Sequence, residues 1–169
     1  MTTLFSTLAT DPHYLSLDLN LDYLKIYNEY CVKRGVGYTW GAKCPSNNLG
    51  KFPPTYTSID CSGYMDAIFA YMTSGGLILP DGSLAQFNWF STKSVNGLSF
   101  KECPYENSGI AGDTHLRINF LLQSECGDRH VWLTYLGKTI ESHGGAGVDQ
   151  RPWDSLILKD HCLHSFVVC

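Results

Sequence analysis

The sequence predicts an α+β domain in which N-terminal helices pack on a central antiparallel β-sheet. Helical apolar spacing falls in the first half of the chain, and runs rich in β-branched and aromatic residues fall in the second. Two of those runs are joined by a short glycine turn, the connection of antiparallel neighbours. The chain of 169 residues is the size of one domain with its own core, so 1–169 reads as a single unit.

Residues 20–34 read as the first helix. Asn20 caps it, Asp22 stands in the first turn, and Leu24, Tyr27 and Cys31 recur at helical spacing before Gly35 ends the pattern. Residues 35–58 are dense in Gly, Pro, Asn and Lys, which predicts a long loop of the kind that carries function. Asp60 then opens a second helix running to Met72. Cys61, Tyr64, Met65, Ile68, Phe69 and Met72 share one of its faces, so it should be buried. Gly75-Gly76 stops it, and 77–86 reads as a connection. Residues 87–112 carry no decisive period. The expected strands are 114–122, 130–136, 139–142 and 162–168.

Hydrophobic residues make up 44% and charged residues 17%, which excludes disordered and fibrous classes. A net charge of -4 gives no footprint for a polyanion, so nucleic acid is not an expected partner. No apolar run approaches the ~20 residues of a membrane span, and the start lacks the basic segment of an export signal. Of seven cysteines, an odd number, at least one stands outside any intramolecular disulfide.

With Asp60 as N-cap, Cys61 is the first helical residue. Unpaired backbone N–H groups and the helix dipole there favour a thiolate. The position suits a nucleophile, and it equally suits an inert cysteine on an apolar helix face. A nucleophilic thiol needs a base that takes its proton and returns it to the leaving amine, which histidine does near neutral pH. His13, His115, His130, His143, His161 and His164 are the candidates.

Residues 130–143 read as a hairpin whose two-residue turn is Gly137-Lys138, a glycine-first pair suited to a type II′ turn. In that register Leu136 faces Thr139 and Trp132 faces His143. His130 and His143 then become diagonal neighbours on one sheet face, base and orienter. Glu141 lies on the same face opposite Thr134 and is the alternative orienter if a bulge shifts the register. Ordinary polar sheet positions account for the same pattern.

Tyr38-Thr39-Trp40-Gly41, Asp60-Cys61-Ser62-Gly63 opening a helix, Leu79-Pro80-Asp81-Gly82-Ser83 ahead of Gln86, and His130-Val131 opening a strand follow one another in order. Together they resemble the NlpC family of papain-like cysteine peptidases over roughly residues 35–150. The resemblance implies the papain-like NlpC fold and a thiol hydrolase, without cofactor or metal, that cuts peptide bonds in peptidoglycan stem peptides. It makes Cys61 the nucleophile, His130 the base and His143 the orienter. Tyr38 would contact substrate or the developing oxyanion, beside the backbone N–H of Cys61. Asp60, Ser62 and Ser83 would border the substrate; capping and turn roles explain these three just as well.

Two departures stand out. Ala42 follows Gly41 where a second glycine is usual, and a longer stretch containing Cys44 leads to Asp60, which reshapes the entrance to the site. The run from Glu141 to Val148, continuing to Arg151-Pro152-Trp153, has glycines suited to a loop over the groove and resembles antibacterial effectors. The expectation is a toxin made in the bacterial cytoplasm and delivered by secretion machinery to the periplasm of a target cell. A cognate immunity protein would restrain it. Two alternatives keep the fold: a transferase, whose acyl-enzyme is resolved by an amine or alcohol, and a binding module that has lost catalysis. His161-Cys162-Leu163-His164, near Cys169, has the ligand types of a zinc site, but in a strand its two histidines face opposite sides.

Overall fold

The computed structural model describes residues 21–72, 94–95, 98–99, 101–102, 116–121, 129–152 and 163–167. Helices α1 (Leu21–Arg34) and α2 (Cys61–Met72) precede strands β1 (Ser94–Val95), β2 (Leu98–Ser99), β3 (Lys101–Glu102), β4 (Arg117–Leu121), β5 (His130–Tyr135), β6 (Lys138–His143), β7 (Gly147–Asp149) and β8 (Leu163–Val167). β1 and β2 pair with each other, and the remaining strands order β3-β8-β4-β5-β6-β7, every pair antiparallel. The architecture is α+β. No helix among the described residues is long and apolar enough to cross a membrane.

The two helices follow their local chemistry. On α1, Leu24, Tyr27, Asn28 and Cys31 turn inward while Ile26 and Val32 stay exposed. Gly35, with φ of 74°, closes the helix: its N–H reaches Val32 O and that of Val36 reaches Cys31 O, the paired bonds of a Schellman motif. The expected cap Asn20 lies outside the described residues. In α2, ten of twelve residues are buried, which makes it the central element, with α1 on one side and β5 and β6 on the other. Tyr64 Oη donates to Asn28 Oδ1 at 2.7 Å, a buried bond that fixes the two helices against each other.

Ile118, Phe120, Val131, Leu133, Ile140 and Val148 form the sheet face that joins α2 in the core. The alternate residues Asn119, Trp132, Thr134, Thr139 and Glu141 are buried as well, so the opposite face is also covered. The segment between α1 and α2 is pinned along its length. Gly37 N–H reaches Thr57 O at 2.9 Å, Ile59 N–H reaches Gly37 O at 3.0 Å, and Asp60 N–H reaches Ala42 O at 2.9 Å.

The hairpin corrects the expected register. Tyr135 pairs with Lys138, Thr134 with Thr139 and Leu133 with Ile140, so the turn is Leu136-Gly137, not Gly137-Lys138. Leu136 has φ of 51° and Gly137 of 76°, both positive, as a type I′ turn requires. Leu136 therefore leaves the strand, while Lys138 and His143 join the next one. The displacement is an even number of residues, so every side chain keeps its face while its neighbours change. The glycine-rich stretch also departs from a simple loop: residues 144–146 form a turn, and β7 returns along β6, with Glu141 opposite Asp149 and His143 opposite Gly147. Gly147 is required there. Its φ is 81°, and a Cβ would strike Val36 O and come within 2.7 Å of Gly37 Cα.

Candidate active site

Asp60 is the N-cap of α2. Its Oδ1 accepts the N–H of Gly63 at 2.7 Å and its carbonyl accepts that of Tyr64 at 2.9 Å, which leaves Cys61 as the first helical residue. The Cys61 side chain is turned inward, and the residue is 1% exposed. The backbone N–H groups of Val131 and Ser62 and the hydroxyl of Tyr38 are hydrogen-bonded to its sulfur. Val131 directly follows His130, so the start of β5 lies against the start of α2.

Burial pushes the Cys61 thiol up to about 11, and the Asp60 carboxylate adds to the rise; the two N–H groups and the Lys43 ammonium oppose it. Desolvation, the largest of these effects, favours the thiol, against the pull towards thiolate expected at a helix start. Tyr38 is displaced in the same direction, to about 12, chiefly by burial, with the Cys61 sulfur and the Asp60 carboxylate adding to the rise, so its hydroxyl keeps its proton.

Asp60 and Ser62, expected at the substrate, are engaged within the protein. Lys43 Nζ stands 2.6 Å from each Asp60 oxygen and 2.6 Å from Ser62 Oγ. Asp60 also accepts Gly41 N–H at 3.1 Å. Gly63 permits this close approach: a Cβ there would come within 2.8 Å of Ala42 O and 3.0 Å of Lys43 Cδ. At the rim, the Arg129 guanidinium lies 4.4 Å from the centre of the exposed Trp40 ring, tying the Tyr38–Trp40 segment to the residue before His130.

On β5 the His130 ring stacks on Trp132 with centroids 5.1 Å apart. Its Nε2 is buried and faces Glu141 Oε1 at 3.6 Å, slightly beyond hydrogen-bond length. Burial alone would raise the Glu141 carboxyl. The neighbouring His130 imidazole, Thr139 and the hydrogen bond from Arg151 override it and hold the group at about 2. Arg151 Nη2 sits on the same oxygen at 2.7 Å.

His143 lies on the expected face but makes its closest carboxylate contact elsewhere. Its Nε2 is 3.0 Å from Asp149 Oδ2 and 3.8 Å from Glu141 Oε1. Continued beyond Leu133–Ile140, the register of the type I′ turn sets Glu141 across from Trp132, diagonal to His130, and His143 across from His130; the 3.6 Å between Glu141 Oε1 and His130 Nε2, not the register, marks Glu141 as the carboxylate neighbour of the imidazole. Residue spacing alone offered Glu141 only as the alternative orienter. Lys43, Arg129, Asp149 and Arg151 were not among the expected site residues; alternation along β7 is the signal that would have found Asp149, directly across from Glu141. Ser83, His13, His115, His161 and Cys162 lie outside the described residues. A groove of 480 Å³ between α1 and the β5–β6 turn, lined by Leu24, Lys25, Glu29 and Ile140 among others, includes none of the site residues.

The resulting sequence of groups is a thiol with hydrogen-bond donors around it, an imidazole on the adjoining strand and a buried carboxylate behind the imidazole. Such an order can serve acyl transfer through sulfur. No family model matches the chain, and no curated protein matches it.

Proposed function

We propose that the chain is a cysteine peptidase or amidase acting on peptidoglycan stem peptides, with Cys61 as nucleophile, His130 as general base and Glu141 as orienter. The observation that carries the chemistry is the placement of Cys61 at the start of α2, bonded to the N–H that follows His130. The substrate class comes from the NlpC-like motifs. His130 takes the thiol proton as sulfur attacks the scissile carbonyl carbon, and the tetrahedral oxyanion is met by Tyr38 and the backbone N–H of Cys61. Collapse breaks the C–N bond, and His130 returns the proton to the leaving amine. Water then attacks the thioester, giving up a proton to His130, and the Cys61 sulfur leaves to recover its thiol. A thiol protonated at rest fits this order, because the base acts when substrate arrives.

Digestion of purified peptidoglycan tests the reading. The wild type should release new muropeptides and Cys61→Ala should release none; an unchanged profile with both proteins removes the hydrolase assignment. Products carrying an added amine or alcohol would move it to a transferase. The deep burial of Cys61 favours one second reading, a binding module of the same fold, which would retain peptidoglycan in a pull-down without cutting it.

A further inference from the structure

Lys43 bonds both neighbours of Cys61. Its Nζ meets Asp60 Oδ1 and Oδ2 at 2.6 Å and Ser62 Oγ at 2.6 Å. The Asp60 side chain is 4% exposed and that of Lys43 47%, so the lysine reaches in from the surface to a buried carboxylate. Asp60 is simultaneously the cap of α2 and the anchor for Gly41 N–H, so one carboxylate fastens the loop and the helix together. An uncompensated negative charge in that position, one residue from the sulfur, opposes formation of a thiolate.

We infer that Lys43 is a positioning residue for Cys61: its ammonium bridges the two residues flanking the nucleophile, clamps the 41–43 loop to the helix start and offsets the Asp60 charge. The inference rests on reading Cys61 as the nucleophile. Among the described residues, the titratable groups about the sulfur include Asp60 and Lys43 at the helix start and Tyr38 on the docked loop, with Arg129 near it; His130 stands at the head of β5, directly before Val131. Lys43 is the cation among them whose bonds reach both residues adjoining Cys61. Its charge works in the direction that favours ionisation of the thiol.

The test follows the rate of Cys61 alkylation by iodoacetamide from about pH 7 to 10, read by mass spectrometry of the Cys61 peptide so that the other six cysteines do not interfere. Lys43→Met should slow alkylation roughly tenfold across that range, the equivalent of about one pKa unit, and Lys43→Arg should recover most of the loss. A Lys43→Met protein that is folded and alkylates within about twofold of the wild type overturns the inference. So does a wild-type Cys61 that stays unlabelled at every pH. Lys43→Met leaves Asp60 short of a cation and can fail to fold, so Asp60→Asn is compared with the Asp60→Asn, Lys43→Met double variant. Asn caps a helix as well as Asp, and neither protein buries an unpaired carboxylate at this position. The double variant should alkylate more slowly, and equal rates reject a role for the lysine. Alkylation requires no substrate, so loss of the peptidoglycan assignment leaves this result readable.

Discussion

Glu141 Oε1 stands 3.6 Å from His130 Nε2 while Arg151 holds the same oxygen at 2.7 Å. The carboxylate is nearly sealed from solvent and kept ionised, which suits it to fix the imidazole ring and stabilise its protonated form. Glu141→Gln keeps the shape and removes the charge. It should lower kcat for muropeptide release by roughly two to four orders of magnitude, whereas His143→Ala should cost less than about tenfold. The opposite ranking would return the orienting role to His143.

The parts of the fold that depend on neighbours in sequence were legible. Gly35 marked the end of α1, Asp60 marked the start of α2, and alternation placed His130, Glu141 and His143 on one sheet face. Register was not legible, because the turn forces Leu136 to a positive φ that its side chain does not advertise, while Gly137-Lys138 offers a plausible glycine-first turn. β7 was hidden by glycines that suggested only a loop, although Gly147 is there because the backbone passes so close to Val36 and Gly37. The clamp on Asp60 joins residues 17 apart through a loop of irregular path, and no spacing rule covers it. The Cys61 thiol depended on how deeply the helix start is buried, a property of the whole core.

Tyr38 is hydrogen-bonded to the Cys61 sulfur, and with its own ionisation pushed to about 12 it remains a donor throughout the neutral range. A hydroxyl in that place can follow the negative charge from sulfur to the oxyanion. Tyr38→Phe should therefore reduce kcat about tenfold to a hundredfold with little change in KM. A rise in KM at constant kcat would make Tyr38 a substrate contact instead.

Glu141 also links the site to acid stability. Its carboxyl lies at about 2 in the folded protein against an ordinary 4.5, so its contribution is complete above about 4.5 and disappears as pH falls towards 2. Arg151 is one of the groups that keeps it low. Arg151→Met should raise the folded value, weaken the protein at neutral pH and move the acid-unfolding midpoint upward by a few tenths of a pH unit, roughly. Circular dichroism during acid titration reads this directly. An unmoved midpoint would mean that His130 and Thr139 hold the carboxylate without the arginine.

The hairpin turn offers a test of the register on which the Glu141 assignment depends. Leu136 is 59% exposed and sits at φ of 51°, where a branched side chain gains little from burial and crowds its own backbone. A left-handed conformation costs an ordinary L-residue about 1–2 kcal/mol, and asparagine tolerates it far better. Leu136→Asn creates the Asn-Gly pair favoured in type I′ turns and should stabilise the protein by about 1 kcal/mol, seen as a higher urea midpoint at unchanged slope. Were the turn at Gly137-Lys138, position 136 would belong to the strand and asparagine would weaken it. The sign of this one change therefore decides whether Tyr135 pairs with Lys138, the register that, continued along the strands, sets Glu141 across from Trp132 and diagonal to His130.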